Sequence, residues 1–184
     1  MATVNEAKKT LQEGGILLYP TDTVWGLGCD ATDEKAVQRI SELKGRSNEK
    51  SFIVLVNSFH MLEKYVPDFP EICYDLIDLS ERPLTIIYDN PKGLANNVLA
   101  QDGSIGIRLT NHPVVNQLIS SIRKPIVSTS ANISGEPTPT CFAEVSEKIK
   151  QGVDAIVEEE LDKVCKQASS IIKIGADSSV KVIR

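Results

Sequence analysis

Three short segments of this chain concentrate the residue types that chemistry needs. Residues 20–28, Pro-Thr-Asp-Thr-Val-Trp-Gly-Leu-Gly, pack hydroxyls, a carboxylate and two glycines into nine positions after an apolar stretch. Such a loop presents oxygens and backbone NH groups to a small polar ligand, or simply turns the chain into its next strand. It is neither GxGxxG nor a P-loop. Lys44, Arg46 and Lys50 place three cations in seven residues where a helix ends. Cations there complement the negative end of a helix or hold a polyphosphate. Arg46 lies beyond the Gly45 stop and fits the first role less well. Ser128, Ser130 and Asn132 alternate along an extended run, so two hydroxyls and an amide point one way. Neutral donors in a row hold phosphate or carboxylate oxygens, or else form a polar strand end. No catalytic triad is apparent, and with only His60 and His112 there is no basis for a multi-histidine metal site.

The elements that must position these residues belong to an ordinary globular composition, 41% hydrophobic and 24% charged over 184 residues. That length suits a single domain over 1–184. No apolar run approaches the ~20 residues of a membrane span, and the N-terminus has no signal-peptide pattern. Cys29, Cys73, Cys141 and Cys165 form no CxxC pair and read as buried thiols in a reducing cytoplasm. A net charge of −5 argues against a surface coated in positive charge for nonspecific nucleic-acid binding. Yet residues 103–135 contain no Asp or Glu while carrying Arg108, Arg123 and Lys124. Residues 35–50 hold Lys35, Arg39, Lys44, Arg46 and Lys50 against Glu42 and Glu49. An acidic protein with two such segments has the makings of an anion site.

Pattern predicts a helix over 3–13 with a Thr3/Glu6 capping box, and another over 33–44 between Asp33 and Gly45. Further helices are expected over 58–65, over 70–79 with Ile72, Leu76 and Leu79 inward, over 113–121 from Pro113, and over 141–150 capped by Thr140. Strands are expected at 16–19, 52–56, 84–88, 104–109, 126–129, 155–158, 170–174 and 180–183. Neighbouring strands among alternating elements imply an α/β fold, a twisted mixed sheet with packed helices.

Taken in order, the segments resemble the YrdC-type family, the threonylcarbamoyl-AMP synthases that begin synthesis of N6-threonylcarbamoyladenosine (t6A) in tRNA. The resemblance runs over 15–184. It rests on the 20–28 motif, Lys44-x-Arg46, Gly106-Ile107-Arg108, and Ser130-x-Asn132 with Ser134-Gly135-Glu136-Pro137-Thr138. Ser169-Ser170-Ile171-Ile172 and the closing Val182-Ile183-Arg184 complete it. It implies a YrdC-like fold with a basic concave cavity and no additional C-terminal domain. The implied reaction joins L-threonine, bicarbonate and ATP into threonylcarbamoyl-AMP, releasing pyrophosphate. Carried over by position, Thr23, Arg108, Ser128 and Ser169 hold threonine; Leu55, on a strand whose alternate residues face one side, is a candidate apolar wall beside them. Lys44, Arg46 and Lys50 surround the phosphates, Lys44 and Arg46 serving as positioning cations. Ser104, Ser130, Asn132, Thr138 and Arg184 complete the ATP site. Mg²⁺ is expected to accompany ATP without a dedicated protein metal site.

Three departures bear on the threonine pocket. Leu55 stands where many members have a histidine, Ser51 replaces a common proline, and Ser80-Glu81-Arg82 occupies the place of a Trp-Pro-Gly run. The resemblance further implies a cytoplasmic protein whose product passes to a t6A transferase complex. A different reading of the same cavity is a module that binds double-stranded RNA or tRNA without catalysis. A sibling carbamoyl-adenylate activity is the third, but its usual zinc-finger-like cysteines are missing from this sequence.

Overall fold

A computed structural model describes residues 1–46, 51–165, 168–175 and 179–184. Its framework is a nine-stranded mixed sheet in the order β7-β1-β2-β6-β3-β5-β4-β8-β9. The strands are β1 Leu17–Tyr19, β2 Gly26–Gly28, β3 Ile53–Val56, β4 Leu84–Tyr88, β5 Ile105–Leu109, β6 Ile126–Ser130, β7 Ala155–Ile156, β8 Ser170–Ile174 and β9 Val180–Val182. Pairs β1/β7, β3/β5 and β4/β8 are parallel and the others antiparallel.

The helices begin and end where their capping residues dictate. α1 (Val4–Gln12) carries the reciprocal Thr3–Glu6 capping box, which satisfies two otherwise orphaned NH groups. α2 (Glu34–Lys44) is capped by the Asp33 carboxylate and stops at Gly45, whose φ of 59° is left-handed. α3 (Phe59–Tyr65) starts at Ser58, and α5 (Pro113–Ile122) opens with proline, whose missing NH costs nothing there.

Two elements differ from expectation. α4 is shorter, Ile72–Asp78, and turns Cys73 inward, with Leu76 and Ile77 packed on the core. Ile72 is 38% exposed and Leu79, its C-cap, is 81% exposed. The expected helix over 141–150 splits into a 3₁₀ turn at Phe142–Glu144 and α6 (Glu147–Gly152). The Glu144 carboxylate folds back to accept from the Thr140 NH and hydroxyl, closing a turn, and Ser146 becomes the cap of α6.

Strand alternation sends two sets of side chains to opposite faces. One face packs Leu27, Val54, Val56, Ile86, Ile107 and Ile172 with α2 in the main core. On the other, α1 and α5 pack together over Leu17, Tyr19, Leu55 and Ile126. Toward β8 that second face is left without a covering helix, and a concavity lies there.

β2 emerges from what sequence alone reads as loop or turn. Its Gly28 is required by close neighbours. A Cβ on Gly28 would fall 2.4 Å from the Val127 carbonyl oxygen and 2.6 Å from the Tyr19 ring. Glycine weakens strands in general but marks such backbone approaches. Cys29, Cys73 and Cys165 are buried and Cys141 partly so, all as free thiols. Among the described residues no helix is long and apolar enough to cross a membrane.

Candidate functional site

The concavity is a cleft of about 280 Å³ lined by Thr23, Arg46, Arg108, Ser128, Ser130, Thr138, Ser169 and Arg184, among others. These come from seven separate stretches of chain, all gathered on the open sheet face. A second hollow of about 390 Å³ adjoins it through the shared walls Ser51, Ile53 and Ile171, and includes Ser104. Three arginines and no Asp or Glu line the first hollow among the described residues. A cleft walled by one sign of charge concentrates anions.

The sheet supplies the floor. Gly26 pairs with Ser130 across β2 and β6, and Ile53 pairs with both Gly106 and Ser128. A Cβ on Gly106 would approach the Thr85 methyl within 3.1 Å, so glycine keeps this floor low. Thr23 is held by the turn before β2. The Thr21 hydroxyl accepts from the NH groups of Thr23 and Val24, donates to the Val24 carbonyl at 2.7 Å, and shares a hydrogen bond with the Thr23 hydroxyl. On the far wall, Ser169 and Thr85 hydroxyls lie 2.9 Å apart. The Arg184 guanidinium donates to the Ser169 carbonyl, fixing its place on the rim.

The cations divide by environment. Arg108, at the end of β5, is 2% exposed and pairs with Asp22 at 3.0 Å. Burial lowers its pKa and the Asp22 carboxylate opposes that shift, so the guanidinium remains charged. Its Nε has no hydrogen-bond partner among the described residues. Arg46 stacks over the Phe52 ring at 4.4 Å, donates to the Thr129 hydroxyl at 3.2 Å, and also donates to the Ser51 carbonyl. Burial lowers its pKa as well.

Lys44 stands behind the wall. Its ammonium donates to the carbonyls of Ser130 (2.5 Å) and Asn132 (2.6 Å), and the residue is 2% exposed. Asn132 accepts from the Ser130 hydroxyl at 2.5 Å and donates to the carbonyls of Ile133 and Glu136. Lys44 and Asn132 therefore shape the loop that carries Ser130 and Thr138. The Ser104 hydroxyl, in the adjoining hollow, donates to Asp102 at 2.6 Å. Lys50 lies outside the described residues.

Leu55 is placed differently from expectation. It is the ladder partner of Arg108 on the same sheet face, but is fully buried among Leu17, Tyr19, Val115 and Leu118 under α1 and α5. The apolar cleft wall on this strand is Ile53, two residues earlier. Leu55→Ala is accordingly expected to cost about 2–5 kcal/mol of stability, as for other leucine truncations in packed cores. Thermal denaturation measures it, and an unchanged melting temperature would return Leu55 to the list of candidate pocket residues. Sequence reasoning also missed Asp22, Ile53, Gly106 and Ile171. Same-face alternation points to Ile53 and Gly106, whereas nothing local marks Asp22 as the partner of an arginine 86 positions away.

The comparisons accord with this geometry. The chain is 34% identical over 163 residues to a threonylcarbamoyl-AMP synthase of Pseudoalteromonas translucida, covering 87% of each. It is 36% identical over 152 residues to one of Pseudomonas aeruginosa, covering 82% of each. A crystal structure of P. abyssi Sua5 complexed with L-threonine superposes with a TM-score of 0.87 at 28% identity, over 98% of this chain. This chain spans 53%, about half, of the length of that Sua5 chain. A family model, Sua5_yciO_yrdC, described as telomere recombination, matches residues 9–184. With its mixed sheet, open cationic cleft and ordered motifs all agreeing, the chain belongs to the Sua5/YciO/YrdC family.

Proposed function

We propose that this protein is a threonylcarbamoyl-AMP synthase, a nucleotidyltransferase that joins L-threonine, bicarbonate and ATP and releases pyrophosphate, opening the route to t6A in tRNA. The observation that carries the reading is the pairing of two kinds of cation in one cleft. A fully buried arginine, Arg108, suits one fixed carboxylate, and the more open Arg46 and Arg184 suit a polyphosphate. The relatives' names and the threonine complex of a Sua5 protein support it.

In this reading the threonine carboxylate meets Arg108, with the hydroxyls of Thr23, Ser128 and Ser169 around the amino acid. ATP lies along Arg46, Ser130, Thr138 and Arg184, extending toward Ser104, with Lys50 near the phosphates. The amine of threonine adds to bicarbonate and water leaves, giving a carbamate. A carbamate oxygen then attacks the α-phosphorus, and the bond to the β-phosphate oxygen breaks to release pyrophosphate. Both reactants are anions, so neutralisation and alignment supply the rate. The arginines provide charge, and the hydroxyl donors are already oriented by the turn at Thr21 and by the loop that Lys44 supports.

Among the described residues no three His, Cys, Asp or Glu side chains converge on a metal position. Magnesium accompanying ATP would be held by phosphate oxygens, which is its habit with nucleotides. The product is a reactive mixed anhydride, so an acceptor system, a t6A transferase complex acting on tRNA in the cytoplasm, must consume it.

Pyrophosphate release from ATP is expected to require both L-threonine and bicarbonate. Release that persists without threonine would contradict the proposal and leave a simple nucleotide hydrolase.

A further inference from the structure

Asp22 stands on a partition. Its carboxylate pairs with one terminal nitrogen of Arg108 at 3.0 Å, and Arg108 lines the cleft described above. Asp22 itself faces a separate hollow of about 440 Å³ on the other side, beside Arg82, Leu109 and His112. The Asp22 side chain is 24% exposed and that of Arg108 only 3%. The turn that bears Asp22 is braced on both sides by the Thr21 hydroxyl, so the carboxylate has a fixed base.

We propose that Asp22 is a positioning and specificity-determining residue, which orients the Arg108 guanidinium from behind and makes it a poor site for phosphate. The inference rests on the synthase reading above for the identity of the carboxylate that Arg108 receives. A guanidinium carries five donors in a fixed plane. The Asp22 Oδ1 contact is an ion pair without hydrogen-bond geometry, so Asp22 draws one terminal nitrogen toward itself by charge and leaves the Nε, unpartnered among the described residues, for another acceptor.

The second consequence is electrostatic. The cleft is to be filled with phosphates, and a buried, unneutralised arginine would attract a phosphate group as readily as an amino acid. Paired with Asp22, it forms a unit with no net charge, to which a second anion gains little by Coulomb attraction alone. A planar carboxylate with the right geometry, supported by the hydroxyls of Thr23 and Ser128, still binds. A doubly charged tetrahedral phosphate is repelled by the Asp22 carboxylate behind it. Discrimination thus comes from a repulsive element as well as an attractive one.

Calorimetric titration of the full chain with L-threonine, in the absence and presence of saturating inorganic phosphate, tests this. For the wild type, phosphate should change the threonine Kd by less than about twofold. For Asp22→Asn, the threonine Kd should rise about tenfold, and phosphate should raise it at least tenfold more. Asp22→Glu should recover part of the phosphate resistance. An Asp22→Asn protein whose threonine binding is no more sensitive to phosphate than the wild type's overturns the proposal. If the Asn variant does not fold, Asp22→Ser, which removes the charge with a residue favoured in turns, is read by the same two outcomes. Failure of the synthase reading is distinct, since the wild type would then not bind threonine at all.

Discussion

Arg108→Met is expected to abolish threonine-dependent pyrophosphate release while ATP still binds. Arg108 is 2% exposed and its charge is shared with Asp22. Removing one partner of a buried ion pair typically costs about 3–5 kcal/mol, because the other charge is left uncompensated. The threonine carboxylate would also lose the one buried cation that lines the cleft among the described residues. For binding, truncating one partner of a buried charge pair costs about 2–5 kcal/mol, so at ~1.4 kcal/mol per decade threonine affinity should fall by roughly 30- to 3,000-fold. Arg108→Lys keeps a charge but offers a point in place of a fork, so it should recover only part of the loss. Threonine and ATP dissociation constants, measured on protein with a confirmed melting transition, check this. An equal fall in both affinities would mean that Arg108 supports the whole cleft and does not select the amino acid.

The second large effect concerns Lys44. Its ammonium donates to the carbonyls of Ser130 and Asn132, and the Lys44 carbonyl itself accepts from the Ser134 NH. Lys44→Met should leave those carbonyls unpaired at about 1–3 kcal/mol each. For a domain of this size, each kcal/mol shifts Tm by about 2–4 °C. The loop through Ser130 and Thr138 should loosen, and ATP affinity should fall with it.

Burial, and secondarily the Arg46 guanidinium, lowers the Lys44 pKa from 10.5 to about 8. The sign of the pH effect follows. Between these two values the unfolded chain binds the proton and the folded protein does not, so stability gained through this residue rises with pH. The wild type should therefore gain stability relative to Lys44→Met as pH climbs from 7 to 10. Parallel melting curves of the two proteins across that range measure it, and a constant difference would show that Lys44 does not titrate there.

Much of the fold was legible because local signals agreed with the tertiary outcome. Thr3, Asp33, Gly45 and Pro113 mark helix ends through backbone hydrogen bonding and φ preference, which are local properties. β2 was not legible, since its Gly28 answers to Tyr19 and Val127, residues that become neighbours only in the sheet. The split at Ser146 was hidden because Thr140 is a favoured cap residue, yet its NH and hydroxyl close a turn on Glu144.

The cleft divides in the same manner. Ser128 and Ser130 could be placed on one side of a strand from alternation alone. Lys44 read as a phosphate ligand because a sequence shows its charge and not its burial behind the Ser130 loop. Leu55 and Ile53 share a face, and only the packing of α1 and α5 decides which one the cleft reaches. Asp22 could be seen as a carboxylate in a polar loop, but its charge partner lies on β5.

The most direct test of the central claim is the identity of the nucleotide product. Incubation with ATP, L-threonine and ¹³C-labelled bicarbonate, followed by mass spectrometry, should yield an adenylate containing one threonine and one carboxyl carbon from bicarbonate. Its mass should shift by the added neutron only when the bicarbonate is labelled, and it should vanish when threonine is omitted. Formation of ADP and phosphate, or an adenylate of threonine without the labelled carbon, would contradict the account.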